Sequence, residues 1–234
     1  MKVPHLINKI SKNLTTPIDR PVINSAVLRR LLYVVTLALP VAVHAELERV
    51  SVSSEGVQAN ADSSVHALSH EGRYVTFLSA ANNLVAGDSN AEQDVFLHDR
   101  ITGETRRVNV ASDGTQANDV SSAISAPAIS GDGRYVLFDS AASNLVPDDN
   151  NDMWDIFIHD SKAGTTQRVS VPDDGSEPNG FSQFPQISND GRFVSFVSSA
   201  DNLVPGDTNG VRYIFVQDLE TNTIERVNVA SDGT

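Results

Sequence analysis

The sequence predicts an all-β fold of β-propeller blades, each with four antiparallel strands, arranged as three complete blades plus a partial one. A unit of about sixty residues recurs along the 234-residue chain, and fixed-period similarity is typical of propellers and solenoids. Each unit holds four apolar runs of about four to six residues, bounded by Gly, Asn, Asp or Pro. Runs this short favour strands over helices.

The repeat opens with an Arg-Val-x-Val segment. Its four copies begin at Arg49, Arg107, Arg168 and Arg226, which are 58, 61 and 58 residues apart, and the fourth stops at Thr234. Later landmarks recur in phase: Ser-x-x-Gly-Arg-aromatic at Ser69, Ser130 and Ser188, Asn-Leu-Val at Asn83, Asn144 and Asn202, and a final Asp at Asp99, Asp160 and Asp218. The chain thus divides into a leader over 1–45, an orphan strand over 47–53, and blade units over about 54–110, 111–171 and 172–229.

The second unit illustrates the four strands, called a to d. They are predicted at Ala126 to Ser130, Arg134 to Phe138, Asp155 to His159 and Thr166 to Val171. Asp132-Gly133 predicts a tight hairpin between a and b, because a primed turn needs positive φ. Strands b and c are apolar on both faces, so their phenylalanines Phe138, Phe157, Phe196 and Phe215 are predicted to lie in the core.

Burial of b and c on both faces favours a propeller over a β-sandwich, whose strands alternate more cleanly. Three units do not close a ring, since propellers have about four to eight blades. The orphan strand has no a, b or c before it, which is typical of propellers closed by strand exchange. Two interpretations follow: the sequence is a fragment, or a homodimer of two copies closes a six-bladed ring.

The leader resembles a signal peptide. An apolar run from Leu31 to Val43 follows Arg29-Arg30 and ends in Val43-His44-Ala45, which predicts cleavage after Ala45. A bilayer-spanning helix needs about 20 residues, which makes a retained anchor the less favoured alternative. Leu28 stands where twin-arginine signals carry a polar residue, so Sec and twin-arginine export both stay open. The sequence predicts a periplasmic or extracellular protein with no membrane association after cleavage.

Charge and composition limit the partners. Residues 1–45 hold six of the 17 basic side chains and one of the 30 acidic ones, which leaves the rest at a formal charge of −18 with Lys162 as its single lysine. Nucleic acid is excluded as an expected partner, because its binding depends on clustered Lys and Arg. Cations or basic surfaces are favoured instead. The chain has no cysteine, which excludes disulfides and thiolate metal sites.

The repeats resemble a known family. Ser130-Gly131-Asp132-Gly133-Arg134-Tyr135-Val136-Leu137-Phe138 and the segment Ser188 to Phe196 are similar to the core of TolB-like, WD40-like (PD40) β-propeller repeats, and Trp154 to Asp160 resembles their strand c. The resemblance covers Glu46 to Thr234. It implies an extracytoplasmic binding or scaffold propeller and carries over no catalytic residue.

The insert between strands b and c is the candidate ligand site. Carboxylate and amide oxygens recur there at alternate positions, a spacing by which one loop can surround Ca²⁺. The candidate ligands are Asp88, Asn90, Glu92 and Asp94 in the first copy, Asp149, Asn151 and Asp155 in the second, and Asp207 and Asn209 in the third. The third loop is expected to bind weakly or not at all. The alternative is an Asx-rich turn whose side chains cap their own backbone.

Other polar groups suggest no chemistry of their own. His98 and His159 precede Asp99 and Asp160 at the end of strand c, where turn support is favoured over catalysis. His66 and His70 lack further metal ligands and are expected on the surface, and Trp154 is either a partner contact or a packing residue. No catalytic motif such as G-x-S-x-G or H-E-x-x-H occurs.

Three functions remain open on sequence alone. The favoured one is an exported, non-enzymatic propeller that binds a protein or a polysaccharide. The others are a carbohydrate-active hydrolase or lyase and a calcium-stabilised spacer. Near-identity of the units favours binding or structure, because a catalytic site requires one blade to differ from its neighbours.

Overall fold

A computed structural model describes residues 47–122 and 125–229, so the predicted signal peptide lies outside the described residues. Twelve strands form three four-stranded antiparallel sheets, each running a-b-c-d in chain order. The first holds β1 (Ser63–Leu68), β2 (Tyr74–Ser79), β3 (Asp94–Asp99) and β4 (Thr105–Arg107). The second holds β5 (Ala128–Ile129), β6 (Tyr135–Ser140), β7 (Asp155–Asp160) and β8 (Thr165–Arg168). The third holds β9 (Ser182–Ile187), β10 (Phe193–Ser198), β11 (Tyr213–Asp218) and β12 (Thr223–Arg226).

The three sheets are propeller-type blades, as the repeat predicts, and each lies within one of the predicted units. Strands b and c pair over six residues with the same register in every blade, from Tyr74↔Asp99 to Ser79↔Asp94 in the first. In the part of the chain that is described, no helix is long and apolar enough to cross a membrane.

Strand a departs most from the prediction, because it contains an insertion. Ser64 and His66 pair with adjacent residues of β2, so one extra residue bulges out in the first blade, and the third blade has a similar bulge between Gln183 and Gln186. In the second blade Ser121 bridges Ser140, but the next paired residue is Ala128. This larger bulge leaves β5 with two residues and accounts for the longer 61-residue spacing.

The turn between a and b is not the primed turn that Asp132-Gly133 suggested. Gly133 has a positive φ of +77°, but Gly131 and Asp132, the central residues of the turn closed by Gly133 N–H to Ser130 O (2.9 Å), do not. The loop spans residues 131–134, between the paired residues Ser130 and Tyr135, so it is longer than a two-residue hairpin. Side chains of the motif hold it closed. Ser130 Oγ accepts from Tyr135 N–H (3.0 Å) and donates to Asp132 (2.6 Å).

The core lies between successive sheets. One cluster joins Leu78, Val95 and Leu97 of the first blade to the second, and another joins Leu137 and Ile156 of the second to the third. The four predicted core phenylalanines are confirmed at 0–1% exposure: Phe138, Phe157, Phe196 and Phe215. Phe138 and Phe157 stack across the b–c pair at 5.9 Å, as do Phe196 and Phe215.

Burial on both faces of b and c holds for the first two blades but not for the third. On the outer face of the third sheet Ile214 is 44% exposed, whereas its equivalent Ile156 is fully buried. The physical reason is that no further sheet covers this face among the described residues.

The segment predicted as an orphan strand, 47–53, is described but forms no strand there. Its only β-type backbone pairing among the described residues is an isolated antiparallel bridge between Val52 and Gln58. Val110 and Gln116 form the same bridge after β4. The segment therefore adopts the local structure that follows a strand d in a blade, without the strand c that would pair with its beginning.

Candidate functional site

The predicted acidic loops converge on an arginine from strand d. Arg107 pairs with Phe96 across the sheet, which places its guanidinium beside the beginning of β3. Arg107 Nη1 lies 3.2 Å from Asp88 Oδ1 and 3.0 Å from Asp94 Oδ2, and all three side chains are at least nine-tenths buried. Arg107, the first residue of the repeat, therefore supplies a positive charge to these two buried carboxylates.

The second loop repeats this arrangement with an additional carboxylate. Arg168 Nη1 lies 3.1 Å from both Asp149 Oδ1 and Asp155 Oδ2, and 3.4 Å from Glu177 Oε1. Asp155 Oδ1 also accepts a hydrogen bond from Ser170 Oγ (2.6 Å). One guanidinium thus serves three carboxylates from two neighbouring units.

The asparagines of the loops act as local braces. Asn90 Oδ1 accepts from the backbone N–H of Glu92 (3.2 Å), and Asn151 Oδ1 accepts from that of Met153 (2.9 Å). The Asn90 amide donates to Ala117 O in the next unit (3.1 Å). These are the Asx-turn contacts of the alternative interpretation, while the side chain of Glu92 is exposed.

The third loop lacks the second carboxylate. Tyr213 stands at the position of Asp94 and Asp155, and Arg226 stacks over its ring at 4.5 Å. Asp207 is buried with Arg226 Nη1 at 3.7 Å, and neither of its oxygens accepts a hydrogen bond from the described residues. Asn209 donates to the Tyr213 hydroxyl. The loop is therefore the least satisfied of the three.

Burial dominates the electrostatics of these carboxylates. It raises the pKa of Asp149 to about 6, with the charge of Asp155 as the next cause. Burial also raises the pKa of Asp155 and, with help from Asp94, that of Asp88. The neighbouring arginines lower these pKa values but offset only part of the penalty of burial.

The loop geometry fits an arginine better than a calcium ion. Ca²⁺ takes about six to eight oxygens, whereas the carboxylate oxygens here are directed at Nη1 of an arginine. Over residues 47–122 and 125–229 there is no group of three or more His, Asp or Glu side chains placed to hold a metal ion. Calcium binding at these loops stays a prediction, and an ion would have to displace the guanidinium.

The histidines of strand c support the neighbouring strand. Nδ1 of His98 lies 2.8 Å from Thr105 Oγ1, and that of His159 lies 2.9 Å from Thr166 Oγ1. Burial lowers the pKa of His159 to about 4. Asp99 and Asp160, which follow these histidines, are each held by an arginine at 2.6 Å, so they are not acid–base partners of the imidazoles.

The remaining predicted candidates have no shared site. His66 is exposed on β1, and His70 lies 3.7 Å from Glu71 on the surface. Trp154 is half-buried in the second loop, where its backbone oxygen accepts from Ser182 N–H (2.6 Å).

Sequence reasoning missed a buried polar cluster in the second blade. Asp139 is fully buried where the other blades have Leu78 and Val197, and it accepts a hydrogen bond from Ser125 in the strand-a insertion. Burial raises its pKa. Asp139 Oδ2 finds no partner among the described residues. The two signals were present: a charged residue in an apolar strand, and the three-residue excess in repeat length.

The a strands of the three blades, β1, β5 and β9, are the inner strands, and they form a shallow groove. Backbone hydrogen bonds from His70 N–H to Gly131 O (3.2 Å) and from Gly131 N–H to Asn189 O (2.9 Å) bring the ends of the a strands together. The groove is lined by both polar and apolar side chains, including His66, Leu68, Pro127, Ile129, Gln186 and Ile187.

The fold and the repeats define the described part of the chain as a series of β-propeller-type blades. No family model matches the chain, and no curated protein matches it. Among solved structures it is similar to TolB from Acinetobacter baumannii, with 15% identity and a TM-score of 0.44 over 76% of this chain and 37% of that one. It is also similar to the propeller domain of the Trilobed protease from Pyrococcus furiosus, which has an open velcro topology (14% identity, TM-score 0.44, 71% of this chain and 42% of that one).

A third similar structure is the oligogalacturonate lyase from Vibrio parahaemolyticus, with 13% identity and a TM-score of 0.39 over 69% of this chain and 38% of that one. The chain spans less than half the length of each of these three proteins.

Proposed function

We propose that this protein is an exported, non-enzymatic β-propeller that binds a protein or polysaccharide partner through the groove of its inner strands. One observation supports this most: the arginine before strand b and the aspartate at the end of strand c, which recur in every unit, are paired with each other. Arginine pairs with aspartate across b and c at 2.6 Å in all three blades, through Arg73, Arg134 and Arg192. Arginine and aspartate side chains that are paired in this way stabilise the blade, so they are not available as catalytic groups.

The groove supports the choice of binding surface. It combines the exposed apolar Leu68, at 55% exposure, with the exposed polar side chains of His66 and Gln186. A mixed surface with a few polar groups is typical of recognition sites. The groove also draws on all three blades, so it is a property of the assembled fold.

Site-specific cross-linking tests this function. A photoreactive residue is placed at Leu68 or Gln186, with Ile101 as the matched control because it is 74% exposed and lies between β3 and β4. Cross-linking in intact cells should yield a discrete adduct from the groove positions and none from the control. Equal adducts at all three positions, or none at any, would contradict binding at the groove.

The enzymatic alternative, a carbohydrate-active hydrolase or lyase, has one specific feature in its favour. The buried pair of Ser125 and Asp139 occurs in a single blade, as a catalytic site would. Turnover of a polysaccharide by the wild type, lost in Asp139→Asn, would replace the binding proposal.

A further inference from the structure

A cavity of about 240 Å³ lies between the second and third blades, beside their c and d strands. The second blade lines it with residues of β7 and β8, and the third blade with residues of β11 and the c–d turn that follows. Tyr135 and Gly191 also line it and hold the two blades in contact, since a Cβ at Gly191 would come within 2.9 Å of the Tyr135 ring. The cavity shares no residue with the groove of the a strands, so it is a separate candidate site.

The corresponding interface between the first and second blades is crossed by an arginine. Arg106 of β4 donates from Nη1 to Ser161 O in the c–d turn of the second blade (3.1 Å). At the next interface Gln167 stands at the position of Arg106, and Leu219 at that of Ser161. The side chain of glutamine is shorter than that of arginine and carries no charge. This substitution leaves space between the second and third blades and removes a positive charge from its wall.

Gln217 gives the cavity a buried polar atom without a partner. It stands where the first two blades carry His98 and His159, each of which contacts a threonine of strand d (2.8 and 2.9 Å). Ile224 replaces that threonine in the third blade. The Gln217 amide nitrogen donates to Asn222 Oδ1 (3.0 Å), whereas Oε1 accepts no hydrogen bond from the described residues, although the side chain is only 5% exposed. A ligand that donates to this oxygen would remove the cost of leaving it unsatisfied.

The charged groups of the lining, all of them on described residues, are already paired. Arg134 donates to both oxygens of Asp160, the single carboxylate of the lining, at 2.6–3.1 Å. Arg168, its single guanidinium, lies 3.1 Å from both Asp149 and Asp155. An ion of either sign would meet no unpaired opposite charge there, so the cavity fits an uncharged ligand.

Size and polarity narrow the class of this ligand. One buried water needs roughly 10–15 Å³ of such space, so the cavity is too large for one or two bridging waters. Its walls combine the amide groups of Gln167, Gln217 and Asn222 with the apolar side chains of Ile158 and Leu219. A sugar ring matches this combination, because its hydroxyls both donate and accept hydrogen bonds while its C–H faces are apolar.

We propose that the cavity between the second and third blades binds an uncharged sugar unit, with a ligand hydroxyl donating to Gln217 Oε1. The site depends on Gln167, Gln217 and Ile224, which replace the arginine, histidine and threonine of the preceding interface. It does not depend on the proposed binding at the groove of the a strands, because the two sites have no residue in common.

Saturation-transfer NMR tests the site with four neutral monosaccharides as probes: glucose, galactose, mannose and N-acetylglucosamine. We expect saturable transfer to at least one of them, with an affinity that falls about tenfold in Gln217→Met, which removes the acceptor. Gln167→Arg should weaken binding at least as much, because it introduces the arginine that crosses the preceding interface. Gln186→Leu, in the groove, is the matched control and should bind the sugar as the wild type does.

Melting temperatures show whether the variants fold. Gln217→Met should melt at or above the wild type, because it replaces an unsatisfied buried group and because Asn222, its partner, is exposed to water. Should it fail to fold, Gln167→Arg, at an exposed position, still decides the question.

Three outcomes overturn the proposal. One is the absence of transfer to all four sugars at tens of millimolar, and another is binding that persists unchanged in Gln217→Met or Gln167→Arg. The third is an equal loss in Gln186→Leu, which would assign the sugar to the groove. Cross-linking from Leu68 should be the same in all these variants except Gln186→Leu, so failure of this site is distinguishable from failure of binding at the groove.

Discussion

Arg107 and Arg168 show how one residue of a repeat can hold a loop. Each reaches back from strand d to two aspartates that begin and end the acidic segment, and Arg168 also reaches Glu177. Buried carboxylates around one cation are stable only while that cation stays. The opening Arg of the repeat therefore has a structural role that its position in the motif did not reveal.

Replacing Arg107 with glutamine should destabilise the protein by about 3–5 kcal/mol, because it leaves Asp88 and Asp94 buried without a partner. Urea unfolding measures the loss. Arg226→Gln is the matched control, since its guanidinium lies 3.7 Å from a single carboxylate and should cost clearly less. Equal losses in both variants would contradict the role assigned to the shared arginine.

The calcium prediction is tested by the melting temperature in millimolar calcium against chelator. If the first two loops bind the ion, binding to the folded state alone should raise the melting temperature of the wild type. The rise should disappear in a variant with Asp88→Ala and Asp149→Ala. An unchanged melting temperature in the wild type would reject calcium and leave the arginines as the only cations of the loops.

His159 should make stability depend on pH. Burial lowers its pKa from 6.5 to about 4, so the folded state binds fewer protons than the unfolded state between these values. The stability it contributes is complete above pH 6.5 and falls as the pH drops towards 4, by roughly 3 kcal/mol. Asp149 acts in the opposite direction, because its raised pKa of about 6 favours the folded state as the pH falls.

His159→Gln isolates the histidine effect, since the third blade already carries Gln217 at this position. Between pH 7 and 4, the free energy of unfolding should decrease less in this variant than in the wild type. Parallel curves for the two proteins would show that His159 does not titrate in this way.

At the scale of the element, the loop between strands a and b joins the blades to one another. Its glycine has a positive φ and receives the aromatic ring of the preceding blade, while its serine closes the turn. Arg134 stacks over Tyr135 at 4.7 Å and pairs with Asp160 at 2.6 Å, so the same motif also fixes b to c. One nine-residue segment thus serves the turn, the sheet and the interface.

Gly133→Ala should be more destabilising than Gly103→Ala. Both glycines have a φ of +77°, so both substitutions carry the same backbone cost, on the order of 1–2 kcal/mol. A Cβ at Gly133 would also overlap Tyr74, whereas nothing lies within 4 Å of one at Gly103. Thermal unfolding of both variants gives the difference, and equal melting temperatures would show that blade contact does not require glycine.

At the scale of the whole molecule, the third sheet ends the described chain with a face that its predecessors bury. Burial on one side only explains why β10 and β11 alternate between buried and more exposed residues although their sequences match the other blades. The exposure of this face thus depends on whether another sheet packs against it, and the sequence of a single repeat does not show it.

Export is predicted to remove the leader after Ala45, so the mature chain should begin at Glu46. Mass spectrometry of protein secreted or released from the periplasm measures the N-terminus. Cytoplasmic expression of the same sequence provides the unprocessed control. A mature chain that retains residues before Leu31 would contradict the prediction.

The sequence by itself determined the three repeated units that form the described sheets, the order of their strands and the phase of strands b and c. These follow from local periodicity and turn chemistry, which repeat within each unit, and Phe138, Phe157, Phe196 and Phe215 are buried as predicted. It also located the acidic loops. It could not show that Arg107 and Arg168 fill them, because that contact joins residues 13 to 19 positions apart across a folded sheet.

Only the tertiary structure decided which groups face each other between blades. The burial of Asp139, the contact of Gly133 and Gly191 with an aromatic ring, and the exposure of Phe193 depend on how the sheets stack, and stacking is not encoded in the period of any one strand. Side-chain alternation tells which residues share a face. Whether that face is buried or exposed depends on the presence of a neighbouring sheet.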